Sequence, residues 1–171
     1  MTDAVMRSAL ADSDRHRDVR RYKDVFGRFC TGVAAVTSVS AGRPVGFTCQ
    51  SFSALSLDPQ LAMLSVQRSS TTWPRIRETG RFAVSFLAAD QEHVAVALAR
   101  SGGDKFTGLS WTPSGAGHPI PDGVLAYVEC RLDNELNGGD HVIVIAAVEE
   151  MTVVREAEPL LFFRGEFKKV S

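Results

Sequence analysis

Two long runs of alternating, β-branched residues, Val124 to Leu136 and His141 to Val154, are separated only by Asn137-Gly138-Gly139-Asp140. A short Asn/Gly/Asp connection between alternating segments is a strong β-hairpin signal, because these residues tolerate the backbone angles of a tight reversal. The two runs therefore pair antiparallel. Elsewhere the chain shows no strand–helix–strand regularity and no G-x-G-x-x-G fingerprint, so a doubly wound dinucleotide-binding sheet is excluded.

The other strands are shorter. Val33 to Ser40, Leu61 to Val66 and Arg81 to Leu87 are apolar and rich in strand formers, and Pro159 to Val170 holds two brief strands turned at Arg164-Gly165. With the hairpin this makes about seven strands. Three helices are expected among them. From Arg17 to Cys30, residues Tyr22, Val25, Phe26, Phe29 and Cys30 follow the i, i+3, i+4, i+7, i+8 spacing of an amphipathic helix of about 13 residues. Its aromatic stripe is expected to face the core. A second helix begins near Ser70 or Thr71 and runs through Trp73, Ile76 and Arg77 to Gly80, with Pro74 in the first turn, where a missing N–H costs nothing. The hydroxyls that lead into it, with Arg68 just ahead, are either a plain N-cap or an anion site. The third, capped by Asp90, carries Val94, Ala97 and Leu98, keeps His93 on the surface and ends at Ser101-Gly102-Gly103. Such an order fits a mainly antiparallel barrel with helices over its ends.

Gly46 to Gln60, GFTCQSFSALSLDPQ, is the stretch with chemical content. Phe47, Cys49, Phe52, Leu55 and Leu57 alternate like a buried strand that stops at Asp58-Pro59, yet Thr48, Ser51, Ser53 and Ser56 lie among them. A buried hydroxyl without a partner costs roughly 1–3 kcal/mol. These either bond backbone groups across a sheet or face a polar ligand. The Gly- and Pro-rich segment from Asp104 to Asp122 is long for a loop in a compact domain, and such loops are functional or disordered. Lys105 and Phe106 near its start are either a cation and an aromatic face for a ligand, or a solvated lysine and a packed ring. His118 reads as a turn residue.

A chain of 171 residues with 44% apolar and 23% charged residues suits one globular domain, expected over 19–171 behind a flexible extension at 1–18. The net charge of −1 argues against nucleic acid as a partner. Cys30, Cys49 and Cys130 are scattered without metal-ligand spacing, and no apolar run approaches the roughly 18 residues of a membrane span. A cytoplasmic protein with reduced thiols and no metal site is expected.

Taken in order, Phe26-Gly27-Arg28-Phe29, Thr31-Gly32-Val33, the Gly46 to Gln60 stretch, VQRSSTTWPRI, Gly103-Asp104-Lys105-Phe106, Gly139-Asp140-His141 and Pro159 to Gly165 resemble the flavin reductase domain family over Tyr22 to Val170. These are the small NAD(P)H:flavin oxidoreductases that feed two-component monooxygenases. The resemblance implies an FMN-binding split barrel of antiparallel Greek-key type, a homodimer, and hydride transfer from NADH to FAD or FMN. The reduced flavin would diffuse to a partner monooxygenase. It places Thr48, Cys49, Gln50 and Ser51 along the ring and ribityl chain. Ser65, Gln67, Arg68, Ser69 and Thr71 would hold the phosphate end, with Lys105, Phe106 and Arg164 as further cofactor contacts. His141 would lie by the nicotinamide, unless it is only a hairpin-end histidine paired with Asp140. Where the family commonly has Ala-Asn or Ser-Asn, this chain has Cys49-Gln50. Two other readings share the barrel: a flavin-binding electron-transfer or storage module, and an oxidase of the pyridoxamine-phosphate type, which would have more basic phosphate ligands. No basic pocket for a 2′-phosphate is evident, which favours NADH over NADPH.

Overall fold

The turn at the end of the long hairpin is tighter than its four-residue Asn/Gly/Asp connection implies. In the computed structural model, which describes residues 18–170, β9 (Ala126–Gly138) and β10 (His141–Val153) leave only Gly139 and Asp140 between them. Gly139 takes φ 78° at the first turn position, where a II′ hairpin needs glycine. The ribbon extends through β6 (Arg81–Phe86), β2 (Ala34–Ser40) and β3 (Arg43–Cys49) on one side, and through β5 (Gln60–Gln67) and β4 (Ser53–Leu57) on the other. The result is a seven-stranded sheet of order β3-β2-β6-β9-β10-β5-β4 in which every pairing is antiparallel.

The two edge strands of this sheet, β3 and β4, are neighbours in sequence, joined only by Gln50, Ser51 and Phe52. Three residues span roughly 10 Å, so the sheet has to curl until its ends nearly meet. It closes into a barrel with an unpaired seam. One core fills the inside: Val36, Val45, Leu64, Phe82, Val84 and Val144 from opposite walls form one cluster with Trp73 and Ile76. A second cluster lies outside the wall, where Ala35, Ala83, Val94, Leu98, Phe106 and Leu160 pack together. Strands β2 and β6 are buried on both faces, which is why they carry near-continuous apolar runs.

Among the described residues twelve strands are present where about seven are expected, and the excess is short. β11 (Leu161–Phe163) and β12 (Glu166–Lys168) are the two brief strands expected about Arg164-Gly165, and they form a small separate sheet with the unexpected β1 (Thr31–Gly32). β7 (Trp111–Pro113) pairs β8 (Pro119–Pro121) inside the segment read as a loop. At two or three residues each, β1, β7 and β8 show no periodicity to detect. The Gly46 to Gln60 stretch is also two strands and not one, broken at the seam. Its second half is an exposed edge, with Leu57 90% accessible, contrary to the buried strand expected there.

Three helices complete the fold. α1 covers residues 18–26, so Asp18, the last residue of the extension expected at 1–18, belongs to it, and residues 1–17 of that extension lie outside the described residues. Its stripe does not enter the core: Tyr22, Phe26 and Phe29 are 62%, 60% and 76% exposed, with Tyr22 stacked on Phe26 at 4.3 Å. Periodicity alone cannot tell a core-facing stripe from one left on the surface of the chain. α2 (Trp73–Thr79) starts two or three residues later than expected and ends as expected at Gly80, in the left-handed region. α3 (Glu92–Ala99) is capped at Gln91 in place of Asp90. The Gln91 amide accepts from Ala88 N–H and donates to Asp122 O, while Asp90 pairs with Arg155 at 2.7 Å.

Candidate functional site

A cavity of about 660 Å³ opens where the barrel is split. One side is the end of β3 and the three-residue link; the other is the end of β5 and the segment leading into α2. The C-terminus of α3 with Arg100 to Gly102 forms a third wall, and His141 stands at the mouth. The volume is in the range of small-molecule sites.

Thr48 is held against α3 through its hydroxyl, which donates to Ala95 O at 2.5 Å. Ser51 bridges the seam: Oγ donates to Ser65 O at 3.0 Å and accepts from Ser65 N–H at 2.9 Å. Thr48 and Ser51 thus bond backbone and also line the cavity, whereas Ser53 Oγ donates to Ala54 O and neither Ser53 nor Ser56 is part of the lining. Neighbouring Cys49 packs into the inner core, and burial pushes its thiol pKa up. A thiol of this kind stays protonated and acts as a small apolar wall.

The phosphate-side expectation also resolves residue by residue. Ser65, Gln67, Ser69 and Thr71 line the cavity. Arg68, between them, does not. Its Nε donates to Gly139 O at 2.9 Å and its Nη2 to Asn137 Oδ1 at 2.8 Å, so its charge is directed to the hairpin turn. Ser70 Oγ accepts from Trp73 N–H at 3.1 Å, and Thr72, without a side-chain cap bond, places its Oγ1 3.3 Å from Lys105 Nζ.

Lys105 is the half-buried cation of the site. Its ammonium donates to Gly46 O at 3.2 Å and Leu98 O at 3.1 Å as well as to Thr72, all neutral acceptors, and burial lowers its pKa. Gly46 is required for this arrangement. A Cβ there would meet Val36 O at 2.9 Å and the Phe106 ring at 3.3 Å. Phe106 is 6% exposed, packs in the outer core and flanks a smaller adjoining recess. The loop that carries both is anchored by Asp104, whose carboxylate accepts from Phe106 N–H at 2.9 Å and Thr107 Oγ1 at 3.0 Å and is thereby held below the usual range. No carboxylate lines the main cavity among the described residues, whereas Arg100 and Lys105 do. The lining therefore suits an anionic ligand.

His141 pairs opposite Gln67 in register and reaches the cavity mouth, with Nδ1 2.8 Å from Asp140 Oδ1. That bond holds the Asp140 carboxyl below its usual range. The hairpin-end pairing and the position at the mouth are thus compatible. Arg164 stands apart from the cavity, in the β11–β12 turn with φ 54°, its N–H donating to Gly27 O at 2.8 Å. Sequence reasoning missed Ser70, Thr72, Arg100, Ser101 and Gly102. The hydroxyl run at 69–72, open to an N-cap or an anion-site reading, already signals Ser70 and Thr72, whereas the Ser101-Gly102-Gly103 stretch reads only as a helix stop.

Residues 26–171 match the family model described as flavin reductase like domain. The reductase subunit HsaB of a flavin-dependent monooxygenase from Rhodococcus jostii is 42% identical over 150 residues, covering 88% of this chain and 77% of that protein. Among solved structures, nitrilotriacetate monooxygenase component B from Mycobacterium thermoresistibile superposes with a TM-score of 0.89 at 43% identity, covering 92% of this chain and 89% of that one. The Streptomyces globisporus NADH:FAD oxidoreductase SgcE6, solved with NAD and FAD fragments, gives 0.85 at 34% identity, over 91% and 94% of the two chains.

Proposed function

Because the chain belongs to the flavin reductase like domain family, we propose that it takes hydride from NADH to FAD or FMN in the cavity at the barrel seam. It is a flavin reductase that supplies reduced flavin to a monooxygenase. The observation that carries the reading is the lining itself: backbone and hydroxyl groups from Thr48 to Ser51, no carboxylate, and a half-buried ammonium at the far end. These residues fit an uncharged ring system with a phosphate tail.

The bound nicotinamide and isoalloxazine supply the hydride chemistry, so the protein's task is to hold them in contact and to favour charge as it moves. Thr48, Cys49, Gln50 and Ser51 would bind the ring and ribityl chain. Ser65, Gln67, Ser69, Thr71 and Lys105 would bind the phosphate end, the ammonium of Lys105 through a charge-assisted bond made stronger by its partial burial. His141, outermost, would orient the nicotinamide carboxamide, with Asp140 fixing its ring. Arg68 and Arg164 would not touch the cofactor: the Arg68 guanidinium bonds the hairpin turn, and Arg164 sits in the β11–β12 turn, outside the cavity lining.

A homodimer in the cytoplasm completes the proposal. The exposed aromatic face of α1 and the bare edge strand β4 support self-association, because a monomer rarely leaves such an apolar surface uncovered. No helix among the described residues is long and apolar enough to cross a membrane. A steady-state assay tests the function: NADH oxidation should rise with added free flavin and saturate. Turnover independent of added flavin would overturn release of reduced flavin as product.

A further inference from the structure

The cavity continues beyond Lys105. A recess of about 190 Å³ shares Thr71, Thr72, Gly102 and Lys105 with the main cavity and adds Arg75 and Pro44 to its walls. It is smaller than the roughly 300 Å³ at which independent ligand pockets usually begin. A space that small, sharing four residues with a larger one, is an arm of the same site. Its chemistry is that of a second anion position. Arg75 is exposed on the first turn of α2 and makes no ion pair among the described residues. The one carboxylate lining the recess, Asp104, is turned into its own loop by bonds to Phe106 and Thr107. Gly102 and Gly103, at φ 71° and 68°, form a floor of bare backbone where an added Cβ would meet nothing within 4 Å.

We infer that this recess receives the adenylate half of a flavin adenine dinucleotide, the pyrophosphate crossing Lys105 and facing Arg75, so that the protein prefers FAD to FMN. The inference rests on the flavin reductase reading and refines it. A mononucleotide ends in one phosphate, which Lys105 and the hydroxyls of residues 69–72 suffice to hold inside the main cavity. The recess would then contain only water, with the guanidinium of Arg75 unmatched. A dinucleotide supplies what the recess lacks: a second phosphate for Arg75 and a flat base for the open shelf made by Pro44 and the two glycines.

The test is equilibrium binding of riboflavin, FMN and FAD to the full chain and to Arg75→Ala and Arg75→Glu, followed by steady-state turnover with NADH and NADPH. The expected result is FAD bound about tenfold more tightly than FMN, the size of one charge-assisted hydrogen bond. Arg75→Glu should abolish that advantage while leaving FMN and riboflavin binding unchanged. Because Arg75 is exposed, the melting temperature should not move, which separates loss of contact from loss of fold. Equal FAD and FMN affinities in the unaltered protein would overturn the inference. So would an Arg75→Glu effect on FMN as large as that on FAD, or one confined to NADPH, which would assign the recess to the pyridine nucleotide. In all of these outcomes riboflavin and FMN are still reduced; if no flavin is reduced, the underlying reading fails as well.

Discussion

Arg68 Nη2 donates to Asn137 Oδ1 at 2.8 Å, and the same oxygen accepts Gly139 N–H at 3.2 Å. Arg68 Nε adds a bond to Gly139 O, and its backbone N–H a bond to Asp140 O at 3.0 Å. The turn that presents His141 is therefore fastened to the residue that begins the phosphate-side segment. Arg68→Ala should raise KM for NADH about fivefold, the worth of roughly one hydrogen bond. Flavin Kd should change much less. Asn137→Ala should act in the same direction, and the double variant should lose less than the sum, because the contacts are shared. A KM-against-Kd comparison on the three variants checks this.

His141→Ala should lower kcat/KM for NADH about tenfold, the usual scale for a single polar contact to reacting groups. Flavin affinity should stay within a factor of two or so, as His141 lies on β10, outside the Ser69–Thr71 segment proposed to hold the phosphate. A drop in both by the same factor would show that the histidine only shapes the hairpin.

Lys105 carries a pH dependence whose sign follows from its burial. Desolvation lowers its pKa, so the ammonium loses its proton at a lower pH than an exposed lysine does. FMN binding should weaken as pH rises through that lowered value, whereas riboflavin, which has no phosphate, should bind with a flat profile. For the fold the sign is opposite. Between the lowered and ordinary pKa the unfolded chain binds more protons, so Lys105 contributes stability that grows with pH across that window. Lys105→Met should abolish the FMN profile and leave riboflavin binding in place. Fluorescence titration across the alkaline range measures both.

Trp73 is 4% exposed, edge-on to Phe47 and Phe82, and its Nε1 donates to Glu135 Oε1 at 2.7 Å. Trp73→Ala should cost about 3–5 kcal/mol, since it empties the inner core and leaves the Glu135 carboxylate short of a donor. Urea unfolding should show the loss. Glu135→Gln, which preserves an acceptor, should cost far less.

Cys49 and Cys130 are buried, and burial raises both thiol pKa values, that of Cys130 to about 12. Alkylation at neutral pH should modify neither in the folded protein, although Cys49 borders the cavity, and both on unfolding. Peptide mapping after labelling with and without denaturant distinguishes the two sites.

The sequence disclosed the long hairpin and the helix stop at Gly80, because each is written in local pattern: alternation, and a glycine at positive φ. Of the cavity lining, pattern marked the hydroxyls of Thr48 and Ser51 within an apolar run and those leading into α2; Gln50, Ser65, Gln67 and His141 rest on the family resemblance. It did not disclose the seam. Nothing local says that β3 and β4 are opposite edges of one sheet, since that depends on where β6 and β9 insert between them. Arg68 stands outside the lining for a related reason. Its neighbours in sequence line the cavity, but its guanidinium bonds residues about seventy positions away. The exposed stripe of α1 shows the same limit, as the period of an apolar face does not say whether the rest of the chain covers it.

Gln50, Ser51 and Phe52 are the sole covalent strap across the open joint of the barrel, and Ser51 is also the stitch that draws it to β5. A guest seated there rests on the fastening itself. Under the proposed function, binding a flavin and holding the staves together would draw on the same few residues.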